Sequence, residues 1–166
     1  MGQDPIVLPR RERRAMAETE GTASPARGGR GRRAARELAM SLLYEADAKG
    51  VRPAVVLAEL PVAPDAWVID RVGGVDHHLE ELDRWLAELA PTWPLERMPA
   101  VDRAVLRLGA YELAFDPEVP TAVVLAEAVE LATRFSTEES GRFVNGVLAA
   151  LAVRWREPPA PARFDS

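Results

Sequence analysis

Asn145-Gly146 lies between apolar residues in the stretch GRFVNGVLAAL, Gly141 to Leu151. An Asn-Gly pair in that setting is the strongest short-range signal for a β-hairpin turn, so its conformation separates a β-containing fold from a helical one. The flanking residues decide. Phe143, Val144, Val147, Leu148, Leu151 and Trp155 recur at spacings of three and four, which place them on one face of an α-helix and fit no period-two alternation. Upstream, Ser136 with Glu139 three residues later forms a capping-box pattern, and downstream Pro158-Pro159 blocks continuation. The spacing predicts a helix of about five turns opening near Thr137. Gly146 inside it costs roughly 1 kcal/mol relative to Ala. It therefore marks a place where a neighbouring helix or a ligand is expected to approach closely.

The same period runs through the rest of the chain. In RRAARELAMSLLYEADAKG, Leu38, Leu42, Leu43 and Ala46 form an apolar stripe, and Gly50 is a helix stop. Pro53 to Leu60 makes a short helix before Pro61. From Asp65 to Pro91 the recurrence of Trp67, Val68, Val72, Val75, Leu79, Leu82, Leu86 and Leu89 predicts one long helix, with Gly73-Gly74 bending it or admitting a neighbour. WPLERMP reads as a single turn, and Pro99 suits the first position of a helix running to Phe115. After DPEVP, residues Val124, Leu125, Ala128, Val129 and Leu131 build another helix before Ser136. No segment alternates as a strand does. The expected fold is all-α, with six or seven helices joined by short loops in one domain, residues 32–156. Residues 1–31, aperiodic and rich in Pro, Gly, Ser and Arg, and residues 157–166 are expected to be disordered tails.

The net charge of −5 conceals a division. Residues 1–36 hold nine arginines against four acids, a surplus of five positive charges, and the remainder carries a surplus of ten negative ones. A basic end on an acidic body points to an end that binds a polyanion and a body with another task. Arg32, Arg33 and Arg36 also sit in the opening turns of a helix, where cations oppose the macrodipole and a purely structural helix more often places acids. Contact with phosphates is the reading that accounts for them, and a solvated helix start is the alternative.

Several chemistries are excluded. With no cysteine the chain has neither disulfides nor thiolate metal sites, and a reducing cytoplasm is the expected compartment. No apolar run approaches the ~18 residues of a membrane span. His77 and Glu81 share a helical face in DHHLEELD, but Asp76, Glu80 and Asp83 make that face read as solvated, and no second ligand cluster accompanies it. No Ser-His-Asp arrangement, phosphate-cradling loop or nucleotide fingerprint is present, so neither an enzyme nor a cofactor is expected.

Three stretches, RRAARELAMSLLYE, MPAVDRAVLRLGAYEL and VPTAVVLAEAVELATRFSTEESGRFVNGVL, together resemble the bacterial NusB family of transcription antitermination factors, in order and spacing. The resemblance covers about residues 32–152; between Val51 and Trp93 it rests on helical pattern and Gly74-Val75 alone. It implies a compact bundle of about seven helices in two halves. It also implies binding of the single-stranded boxA element of ribosomal RNA transcripts, as a heterodimer with the small ribosomal subunit protein NusE, within an RNA polymerase antitermination complex. Carried over by position, the family's arginine-rich start falls on Arg32, Arg33 and Arg36. Ala34 replaces one arginine common there, and Arg30 in the preceding RGGRGR is its expected substitute. The RNA-facing helix start falls on Glu139, Ser140, Arg142 and Phe143, and the NusE-facing positions on Tyr44 and Asp102, with Arg103 beside the latter.

Bland readings stand next to these. Phe143 is a core residue by default; as an aromatic beside Arg142 at a helix start it offers a face to an unstacked base. Tyr44 is a half-buried ring or an interface anchor, and Asp102 with Arg103 a surface ion pair or a partner contact. Two other functions remain open: a helical interaction module without an RNA role, and the NusB-like domain that precedes a methyltransferase in some rRNA-modifying enzymes. The lack of an α/β half or cofactor glycine motif argues against the second.

Overall fold

Residues 29–156 are described by a computed structural model; the expected tails, apart from residues 29–31, lie outside the described residues. Among the described residues seven α-helices form: α1 Gly29–Lys49, α2 Pro53–Glu59, α3 Ala66–His77, α4 Leu79–Leu89, α5 Ala100–Phe115, α6 Thr121–Phe135 and α7 Glu138–Trp155. A 3₁₀ turn, Leu95–Arg97, precedes α5, and no strand occurs among the described residues. The α-helical reading of VNGVL holds, since Asn145 and Gly146 lie within α7.

α5 is the centre. Ten of its sixteen residues are buried, on all sides rather than along one stripe, as expected of a helix with neighbours all round. α1, α2 and α3 pack together on one side of it and α6 and α7 on another, with α4 reaching both α5 and α7. Three glycines permit the close crossings. A Cβ on Gly74 would overlap the Tyr111 ring, one on Gly141 would overlap the Thr133 hydroxyl, and one on Gly109 would sit 2.6 Å from Leu148 Cδ1. Gly146 has nothing within 4 Å of a built Cβ, so no helix approaches it.

Helix ends follow local chemistry. Gly50 takes φ 65° past the end of α1, as a left-handed stop requires. Thr137, rather than Ser136, caps α7, its hydroxyl accepting from the Ser140 amide at 3.0 Å; Glu139 stays exposed instead of completing a capping box. Pro99 is the cap residue of α5 rather than its first helical position. The expected long helix from Asp65 to Pro91 is two helices meeting at His78, whose φ of −106° and ψ of 17° leave the helical region. The break thus comes after Gly73-Gly74, which remain helical because Gly74 serves the contact with Tyr111. The His78 ring stacks on Phe115 at 4.0 Å, fixing the junction against α5.

At the same C-terminal end of α5, Arg156 gathers the orphan carbonyls. Its guanidinium donates to the carbonyls of Leu113 (3.2 Å), Glu112 (3.0 Å), Asp116 (2.8 Å) and Val119 (2.5 Å), so the end of α7 fastens the turn between α5 and α6.

Candidate nucleic-acid interface

The basic start of α1 divides into three kinds of arginine. Arg36 is 5% exposed and donates through Nε to Glu112 Oε1 at 3.3 Å. The same carboxylate oxygen accepts from Arg71 Nε at 3.3 Å, and Arg71 also bonds Asp70 and Asp116. Burial pushes Arg71 down, but Glu112, Asp116 and Asp70 outweigh it and hold its pKa above the usual arginine value. Arg36 is therefore an interior ion-pair member and not a phosphate contact on the surface, a correction to the expected set. Its spacing with Ala39, Met40 and Leu43, all core residues, carried that signal. Arg33 is exposed but forks onto Glu127 of α6 at 3.2 and 3.3 Å, and this hydrogen bond raises its pKa. Arg32 alone of the three has no carboxylate in ion-pair reach among the described residues; its guanidinium lies 4.8 Å over the half-buried Trp67 ring. Nothing is described of the Arg30 side chain.

The start of α7 adjoins this region through α6. Glu127 of α6 holds Arg33, and Arg134 near its end holds Glu37 of α1 at 3.0 Å; α7 opens just beyond. There Glu139 and Arg142 are exposed, and Arg142 makes only a loose 3.9 Å contact with Glu138. Ser140 is buried, its hydroxyl within 3.0 Å of Ser136 Oγ and 3.1 Å of Thr137 Oγ1, so it builds the cap and does not face outwards, a second correction. Phe143 is half-buried against Trp93, with ring centroids 4.6 Å apart. Trp93 and the 40% exposed Phe135 were not singled out by spacing, because both lie at the edge of a helical pattern. Asn145 and Gly146 continue the exposed side of α7, with nothing over them.

The three expected partner positions also separate. Tyr44 is 44% exposed on α1. Arg103 is tied internally to Asp47 and to the carbonyls of Leu95 (2.7 Å) and Met98 (2.9 Å), so it forms no surface pair with Asp102. Asp102 is fully buried, and neither carboxylate oxygen has a hydrogen-bond partner. A direct partner contact through the Asp102 or Arg103 side chain would require rearrangement, whereas Tyr44 needs none. Among the described residues no three His, Asp or Glu side chains gather as a metal site, and Glu81 meets His78 at 3.3 Å rather than His77.

With this geometry in place, the sequence profile of the NusB family matches residues 33–153. The chain belongs to the NusB family. Among curated relatives, the transcription antitermination protein NusB of Kineococcus radiotolerans is 43% identical over 125 residues, covering 73% of this chain and 92% of that protein. The NusB of Acidothermus cellulolyticus is 48% identical over 121 residues, covering 70% and 83%. Solved NusB structures share the fold. NusB of T. maritima superposes with a TM-score of 0.69 at 29% identity, covering 82% of this chain and 96% of that one. A crystal structure of the antitermination factors NusB and NusE in complex with dsRNA matches with a TM-score of 0.66 at 30% identity, covering 77% and all of that chain. The NusB-family match takes in Arg33, Tyr44, Trp67 and the whole exposed start of α7.

Proposed function

We propose that this chain is a transcription antitermination factor that binds RNA together with NusE and acts on transcripts as a member of an RNA polymerase antitermination complex. Membership of the NusB family and the antitermination role named for its relatives support the reading, as does the likeness to a NusB solved with NusE and RNA. The single observation that carries the RNA contact is the start of α7. There an exposed Arg142 stands beside a half-buried Phe143 and Trp93, in front of a helix surface left flat by Gly146. An aromatic pair with a neighbouring cation suits a single strand, whose bases expose π-faces that a duplex hides. The RNA is the boxA element of ribosomal RNA transcripts. Tyr44 belongs to the NusE-binding surface. The chain works in the cytoplasm, without catalytic chemistry of its own.

The decisive measurement compares a boxA-containing RNA with a scrambled one, with and without NusE. Preference for boxA, strengthened severalfold by NusE, is expected, and linkage requires RNA to tighten NusE binding by the same factor. Equal affinity for both RNAs in both states defeats the reading. Phe143→Ala is expected to weaken RNA binding by about 1–3 kcal/mol while the protein remains folded. Unchanged RNA affinity with a large fall in melting temperature assigns Phe143 to the core instead.

A further inference from the structure

Trp67 stands in the first turn of α3, where the Asp65 side chain accepts from its backbone amide at 2.8 Å. Three guanidinium groups lie over its ring, those of Arg71 at 4.3 Å, Arg32 at 4.8 Å and Arg36 at 5.2 Å. Two of the three are buried and neutralised by Glu112, with Asp116 and Asp70 adding to Arg71. The third is not. Arg32, one turn before Arg36, is half-exposed, and burial followed by repulsion from Arg71 and Arg36 holds its pKa below the usual arginine value. The nearby Asp65 and Glu112 pull it back only weakly. A guanidinium held on an aromatic face, pressed by two like charges and bonded to no carboxylate among the described residues, is stabilised by any anion that reaches it. Arg33, forked onto Glu127, has that demand already met.

We propose that Trp67 is the positioning residue that holds Arg32 ready for a phosphate of the bound RNA. The strand then crosses the junction between the first turns of α1 and α3. The inference rests on the RNA-binding reading above. It adds that Arg32 makes the phosphate contact of this turn and that an indole 76 positions earlier than Phe143 takes part without touching a base. Trp67 acts by restricting where the guanidinium can go, so that less freedom is lost when the phosphate arrives.

The test is a double-mutant cycle on the full chain, with a boxA-containing single-stranded RNA as probe and affinity measured across a series of salt concentrations. Arg32→Gln is expected to weaken binding roughly three- to tenfold and to lower the salt slope by about 0.7, the value of one phosphate contact on a single strand. Trp67→Leu is expected to reproduce most of the loss in affinity, and the double variant to bind no more weakly than Arg32→Gln alone. Trp67→Phe keeps an aromatic face and is expected to restore most of the affinity. Additive losses in the double variant overturn the assignment. If Trp67→Leu does not fold, Trp67→Phe closes the same cycle, because its poorer ring face should matter only when Arg32 is present; an equal loss in the Arg32→Gln background overturns the proposal. Wild-type protein that binds no RNA even with NusE defeats the RNA-binding reading itself, a result distinct from wild-type binding with an unaltered Arg32→Gln slope, which defeats only this inference.

Discussion

Glu112→Ala is expected to destabilise the protein by about 3–5 kcal/mol, because it strands buried charge rather than merely removing a contact. Glu112 is 1% exposed and receives Nε–H from both Arg36 and Arg71. Without it, Arg71 keeps Asp70 and Asp116, but Arg36 keeps only the Trp67 face. Against a typical stability of about 5–15 kcal/mol this is a large fraction. Urea titration should show a lower midpoint with an unchanged slope. Replacing Arg36, Arg71, Glu112 and Asp116 together with apolar residues of similar volume is expected to cost far less, since ion-pair clusters of this kind are often no more stable than hydrophobic substitutes. A loss below about 1 kcal/mol for Glu112→Ala would mean that both arginines reach water, contrary to their burial.

Leu148→Ala is expected to cost about 2–5 kcal/mol, with a specific route to recovery. The Leu148 side chain is fully buried in the crossing of α5 and α7, occupying the space that a Cβ on Gly109 would enter. Gly109→Ala alone should overpack that crossing and cost about 1–3 kcal/mol. The two together should cost clearly less than their sum, because the added methyl fills part of the cavity and the shortened side chain gives it room. Additive losses would mean that the helices separate rather than repack. Arg142 and Phe143 stand on α7 one to two turns before Leu148, so RNA affinity in the folded fraction also reports whether the α7 start keeps its place.

Fold class was legible because it rests on apolar spacing, a local property. All seven described helices begin or end within a residue or two of a proline, glycine or hydroxyl signal that is visible in the chain. The break at His78 was not visible. It comes from stacking on Phe115, a residue distant in sequence, and two adjacent glycines offered a more obvious hinge. The glycines show the same limit. Gly146 drew attention because it interrupts a helix, yet it is open, while Gly74, Gly109 and Gly141 lie in close contacts that depend on another helix. The site was read in part. Arginine clustering marked the start of α1 but did not separate Arg32 from Arg36, whose difference lies in the placement of Glu112 and Trp67. The resemblance directed attention to Asp102, and only the packed structure reveals that its carboxylate is enclosed and unsatisfied.

The fastening of the α5–α6 turn by Arg156 sets an order on the making of the protein. The carbonyls it gathers belong to residues 112 to 119, up to 44 positions earlier in the chain. As synthesis runs from the N-terminus, the turn emerges from the ribosome well before the side chain that secures it. α5 and α6 must therefore wait as partners without their clasp until α7 is complete. Since α7 also brings Phe143 and Arg142, one late event both closes the bundle and sets out the surface proposed for RNA. A nascent chain stalled before residue 156 lacks the clasp even with every other helix made, and finished molecules alone carry the whole surface in its fastened form.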